Sequence, residues 1–259
     1  MLRLRQIALV AHNLDPIEAD LQAVFGLGAG FNDPHIDVFG LRNSVIPAGR
    51  QFIEIVSPIQ ENTAGGRYLA RRNGDGGYMT IFQCDDHPAV KARADDLGIR
   101  RVVDQQGKEY WILQLHPADT GGTFLEIDVQ HGGESMDGKW EPAGKSWREN
   151  FTETLVAITA AEIQSPDPGP LAERWSRILN LPLSTSADGS VRSLDVDNAT
   201  IRFVAATDGR PEGLGGIDVT VQPGALNAVL ARAAQRNLVP TSDPALLHIG
   251  GMRIRVSAA

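Results

Sequence analysis

The chain repeats itself, and the repeat is marked by a charge in an apolar strand. Glu54 lies in Gln51-Phe-Ile-Glu-Ile-Val-Ser-Pro58 and Glu126 in Thr123-Phe-Leu-Glu-Ile-Asp-Val-Gln130, a separation of 126 − 54 = 72 residues. Upstream of each is a strand-like run that ends in acidic, helix-starting residues. These are Gln6-Ile-Ala-Leu-Val-Ala-His-Asn-Leu-Asp15 and Met79-Thr-Ile-Phe-Gln-Cys-Asp-Asp86, which start 79 − 6 = 73 residues apart. A unit of this size buries its apolar face against its copy, and the features that recur lie where the copies meet.

Each unit reads as strand, helix and three strands. In the first, Ile7, Leu9 and Ala11 alternate with Ala8, Val10 and His12, as in a strand buried on both faces. Asn13 or Asp15 caps a helix with Pro16 in its first turn and Ile17, Leu21, Val24 and Phe25 on one side. Ile36 to Phe39, Asn43 to Ile46 and Gln51 to Val56 are three short strand-like runs, followed by a helix from Glu61 to Arg72. The second unit has strands from Met79 to Cys84, Arg100 to Val103, Glu109 to Leu115 and Thr123 to Val129, and a helix from His87 to Leu97. Beyond a stretch rich in Gly, Lys, Glu and Pro the pattern returns in a worn form. Strands at Thr154 to Glu162, Val191 to Val196 and Asn198 to Ala205 flank a helix bearing Leu171, Trp175, Ile178 and Leu179. Ile217 to Val221, a helix from Ala225 to Arg236 and Met252 to Val256 make a fourth unit. The expected fold is α+β, with four tandem βαβββ units paired into two domains, residues 1–131 and 150–259, around a linker at 132–149.

Composition narrows the partners. A net charge of −8 argues against general affinity for nucleic acid or anionic membranes, so the expected ligand is a small molecule. Cys84 is the sole cysteine, which excludes an intramolecular disulfide, and no apolar run approaches the about 18 residues of a membrane span. The chain opens directly into a strand pattern, and a cytoplasmic protein is the expectation.

Strand-helix-three-strand units used in pairs resemble the vicinal oxygen chelate superfamily, which includes glyoxalases and bleomycin-resistance proteins. The resemblance is carried by Gln6 to Asp15, by Phe52-Ile-Glu-Ile-Val-Ser-Pro58, and especially by Leu115-His-Pro-Ala-Asp-Thr-Gly-Gly-Thr-Phe-Leu-Glu126. That last motif is close to one in methylmalonyl-CoA epimerase-like members. The match is close over Leu4 to Gln130 and loose over Thr154 to Val256. It implies paired glyoxalase-like domains in which two units form a curved, cup-like sheet around a divalent metal. Carried over residue by residue, the metal positions are Gln6, Glu54, Met79 and Glu126. Met79 departs from the pattern, because a thioether is a soft ligand ill matched to Mg, Mn, Fe or Zn. Gln6, Glu54 and Glu126 remain as a hard donor set that water, or His116 or His35, would complete. A homodimer is compatible with this resemblance.

Alternation sets the faces. Phe52, Glu54 and Val56 share one face of their strand, and Phe124, Glu126 and Asp128 one face of theirs. A carboxylate among apolar neighbours is solvated, paired, metal-bound or protonated, since burying it bare costs too much. Two such groups facing each other across one cup can remove a proton from one side of a carbon acid and return it from the other, with Gln6 or a metal stabilising the enolate oxygen. The resemblance therefore implies a lyase or isomerase of small carbonyl or thioester substrates, with Glu54 and Glu126 catalytic. The alternative is a metal-free binding protein whose apolar cup is lined by Phe52, Met79, Phe82 and Phe124, with His116 nearby. An extradiol dioxygenase ranks lowest, for want of two histidines and a glutamate as a facial set. His116 also reads as a plain turn residue, Arg67, Arg71 and Arg72 as either a solvated helix face or an anion site, and Cys84 as buried filler. In the second domain the matching strands offer Ile158, Phe203 or Arg202, Gly216 and Arg255, none of which binds a cation.

Overall fold

The computed structural model describes residues 1–259. The first half of the chain contributes β1 (Leu2–Val10), α1 (Leu14–Phe25), β2 (Leu41–Ala48), β3 (Gln51–Pro58), α2 (Ala64–Arg72), β4 (Gly76–Cys84), α3 (His87–Asp96), β5 (Arg101–Gln106), β6 (Tyr110–Leu115) and β7 (Phe124–Gln130). The second half contributes β8 (Leu155–Ser165), α4 (Pro168–Leu179), β9 (Ser184–Thr185), β10 (Arg192–Val196), β11 (Ala199–Ala205), β12 (Gly213–Val221), α5 (Leu226–Gln235), β13 (Leu246–Ile249) and β14 (Met252–Ala258). They form two seven-stranded mixed sheets, ordered β2-β3-β1-β4-β7-β6-β5 and β13-β14-β12-β8-β11-β10-β9. Corresponding strands of the two halves hold corresponding places, so the duplication extends to the whole chain.

The second and third repeats are complete βαβββ units. The first is not, because Ile36–Phe39 forms a 3-10 turn instead of a strand. Only Phe31 pairs there, bridging Val45 through both backbone groups. Asp33, Pro34 and Asp37 flank and interrupt the run, and such residues favour turns over a ladder. The fourth unit likewise has two strands after its helix.

By contacts the chain forms two compact units. One comprises Met1–Gln6, Tyr78–Lys139 and Ala160–Gly215, and the other Ile7–Gly77, Trp140–Thr159 and Gly216–Ala259. The first unit is built around Trp175 of α4. Its ring meets Phe82 of β4 at 6.4 Å and Phe203 of β11 at 5.5 Å, both edge to face, and its indole N–H donates to the Thr120 carbonyl. Leu171, Ala172, Trp175, Ile178 and Leu179 make the buried stripe of that helix. The exposed edge strand β5 carries Arg101, Asp104 and a register break between Arg101 and Val103, features that discourage pairing with another chain.

In the second unit α1 begins at Asn13, whose side chain accepts the Asp15 N–H, and ends at Gly26 with φ of 67°. The Arg232 guanidinium of α5 donates to the Val24 carbonyl, an orphan acceptor of the last turn of α1. Trp140 stacks on Phe52 with centroids 6.4 Å apart, and Trp147 meets the same ring edge-on at 5.2 Å. The stretch between the two sheets thus anchors two buried indoles. No helix is long and apolar enough to cross a membrane.

Candidate functional site

Register places a polar group on one face of β4, β7 and β6. Glu126 pairs across β6 with Gln114 and across β4 with Ile81, while Asp128 pairs with Ile112 and Gln83. Met79 lies opposite Phe124 on the parallel neighbour β4. Gln114 donates through Nε2 to Glu126 Oε2 at 2.6 Å, and the same nitrogen lies 3.9 Å from the Met79 sulfur. The structure therefore brings Met79 and Glu126 together around an amide that the sequence did not single out.

Glu126 retains only 7% of its surface exposure, and Asp128 none. Two residues apart on a strand, their side chains point the same way, and both carboxyls titrate high. Burial raises Glu126, against which hydrogen bonds from Gln114 and Asp128 act. Asp128 rises well above the usual aspartate range through burial first and the Glu126 charge second, with the Tyr110 hydroxyl and the Leu113 backbone pulling the other way. Like charges this close cannot both ionise. Asp128 Oδ2 accepts the Tyr110 hydroxyl, while its Oδ1 has no donor. Burial therefore pushes both carboxyls up, and Asp128 carries the additional upward push of the Glu126 charge.

Glu54 lies in the second compact unit, also 7% exposed. It pairs with Val45 on β2, and the Asn43 amide donates to its Oε1 at 2.7 Å. Phe52, on the same face two residues earlier, is enclosed by Trp140 and Trp147. Gln6, buried, closes the first segment of the other unit.

Other expected site residues fall elsewhere. Phe82 packs against Trp175 on the face opposite Met79 and Glu126, because three residues along a strand reverse the side. It does not line a pocket with Met79. Phe124 is buried edge-on against Tyr78 with centroids 4.9 Å apart. His116 is a turn residue: its Nδ1 accepts the Ala118 N–H, and its own N–H bonds the Arg100 carbonyl. His35 is exposed at the start of the 3-10 turn. Arg71 and Arg72 lie over the Tyr68 ring at 5.3 and 5.6 Å, and Arg67 caps the Asn62 carbonyl at 2.6 Å. Cys84 is buried, which pushes its thiol up to about 12.

The donor set does not suit a divalent cation. No three His, Cys, Asp or Glu side chains come together, and Met79 presents a thioether where a hard donor is needed. The Glu126 carboxylate is already held by Gln114 and Asp128. Sequence reasoning missed Asn43, Gln114 and Tyr110 as partners. Asp128 was legible on the Glu126 face by alternation, but its role depends on Tyr110, eighteen residues away in the chain.

Comparison with known proteins agrees with this architecture. A hypothetical protein from Staphylococcus aureus superposes with a TM-score of 0.69 at 13% identity, over 100% of each chain. A mutant of 4-hydroxymandelate synthase from Streptomyces coelicolor gives 0.63 at 14% identity, over 96% of this chain and 77% of that one. These two share the fold. Methylmalonyl-CoA epimerase from Streptomyces coelicolor is 25% identical over 49% of this chain and 96% of its own, with a TM-score of 0.44. No curated protein matches the chain. The glyoxalase-like domain family matches residues 7–179, and the chain belongs to that family, within the vicinal oxygen chelate superfamily.

Proposed function

We propose that the protein is a lyase or isomerase that moves a proton on a small carbonyl or thioester substrate, with Glu126 as the base. The observation that carries this reading is the buried Glu126–Asp128 pair on one face of β7, where burial raises both carboxyls and so favours proton uptake. Glu126 takes the proton of the acidic C–H, and the bond pair passes to the carbonyl oxygen as an enolate. Return of the proton to the opposite face of that carbon, or to the neighbouring carbon of an enediol, completes an isomerisation. The reading assigns Glu54 the equivalent role in its own unit, Gln6 a polar donor role and Phe124 an apolar contact. No step is routed through a metal, because the donors fit one poorly.

The test is deuterium incorporation, followed by proton NMR in D2O, over a panel of α-substituted acyl thioesters and 2-hydroxyketones. Exchange that persists in chelator and falls in Glu126→Gln by about a hundredfold or more supports the reading. Exchange unchanged in that variant overturns it. A second reading, a small-molecule binding protein without turnover, is favoured by Met79, whose thioether offers an apolar contact beside Gln114. Ligands that raise the melting temperature without any exchange would select it.

A further inference from the structure

Each of the two glutamates that mark the repeat has an amide beside it, although the two amides do not occupy equivalent positions. Asn43 on β2 donates to Glu54 on the adjacent β3, and Gln114 on β6 donates to Glu126 on the adjacent β7, at 2.7 and 2.6 Å. The two amides are 114 − 43 = 71 residues apart, against 72 for the glutamates. The registers differ: Gln114 lies directly opposite Glu126, whereas Val45 is opposite Glu54 and Asn43 lies one same-face position further along. Different offsets converge on the same contact.

The orientation of each amide is fixed by a second acceptor or donor. Asn43 is buried, and its Oδ1 accepts the Asp33 backbone N–H at 2.9 Å, so its NH2 group has to face Glu54. The Gln114 NH2 group stands between two acceptors, Glu126 Oε2 and the Met79 sulfur, and a flipped amide would set oxygen against oxygen.

We propose that Asn43 and Gln114 are positioning residues, an amide clamp at each glutamate that holds one of its oxygens and so fixes the rotamer and direction of its carboxylate. A charge-assisted bond of this kind favours the ionised acceptor and orients it. For Glu126 the clamp occupies Oε2 and leaves the other oxygen for the proton shared with Asp128 or for a ligand. Asn43 further ties Glu54 to the segment that begins at Asp33 and runs into the 3-10 turn. The clamp gives Met79 a structural reason as well: it accepts the second hydrogen of the Gln114 amide.

The catalytic importance of the clamp rests on the proposed proton transfer, but its existence does not, and two measurements separate them. In 15N-labelled wild-type protein, the side-chain amides of Asn43 and Gln114 should each show one downfield, slowly exchanging proton. Glu54→Gln should move only the Asn43 signal and Glu126→Gln only the Gln114 signal. Amide signals that sit at free positions and ignore both substitutions overturn the clamp without any substrate. With a thioester from the panel that exchanges, Gln114→Met should lower kcat by roughly tenfold to a hundredfold at nearly constant KM, and Gln114→His, which retains an N–H donor, should recover part of the loss. Coupled amide signals together with full exchange in Gln114→Met overturn the positioning role. No exchange with any compound, beside coupled signals, overturns the proposed function and leaves the clamp standing.

Discussion

The Tyr110 hydroxyl donates to the carboxyl of Asp128, two residues beyond Glu126 on the same face of β7. This contact satisfies one oxygen of a side chain with no exposed surface. Burial and the Glu126 charge raise the Asp128 pKa well above the usual aspartate range, and the Tyr110 bond only partly opposes them.

That state has a signed consequence for stability. The unfolded chain releases the Asp128 proton near the ordinary value of about 3.9, and the folded protein holds it to higher pH. The stabilisation is complete below the unfolded value and is lost as pH rises toward the raised folded one. Asp128→Asn removes this slope. Its melting temperature relative to wild type should increase as pH is raised from about 4 to about 8, measured by calorimetry at matched ionic strength. A difference that does not depend on pH would contradict the raised Asp128 pKa.

His87 gives the opposite slope. It is fully buried at the start of α3, edge-on to Trp111 at 5.8 Å, and neither ring nitrogen has a hydrogen-bond partner. Burial lowers its pKa, with Asp104 opposing and Lys91 assisting that shift. The folded state keeps the ring neutral while the unfolded chain takes up a proton below about 6.5, so stability falls as pH drops through that value. His87→Leu should flatten the acid limb of the stability curve between about pH 6.5 and 5, while its stability at pH 8 changes less.

Gly121 and Gly122 explain structurally part of the motif Asp119-Thr-Gly-Gly122. Both have left-handed φ, 81° and 76°. A Cβ on Gly122 would come within 2.3 Å of the Glu212 carbonyl oxygen, and one on Gly121 within 2.4 Å of a Leu171 methyl. Gly122→Ala should cost about 2 kcal/mol or more in urea unfolding, since strain and a backbone clash add. Gly189→Ala, equally left-handed but with nothing within 4 Å, should cost less.

Trp175 joins the two halves of the sequence within one compact unit, through Phe82 and Phe203. Trp175→Ala should lose about 3 to 5 kcal/mol. A fragment ending at residue 150 should lack a cover for Phe82 and show dye-binding, expanded behaviour on gel filtration. A monodisperse, cooperatively melting fragment would refute that dependence.

The sequence by itself determined the period, the order of most elements, though not the short strands β9 and β13, and the faces of most strands. Apolar alternation and helix caps are local signals, and they located Glu54, Glu126 and the strands bearing them. Phe82 shows that even parity was informative, since its odd offset from Met79 already separated them. The turn at Ile36–Phe39 resembles a strand in sequence because a short apolar run has no period long enough to distinguish the two. Only the tertiary structure decided what holds each glutamate. Asn43, Gln114 and Tyr110 reach their carboxyls from neighbouring strands, and register, which fixes who faces whom, depends on how whole strands align rather than on any residue's own propensity.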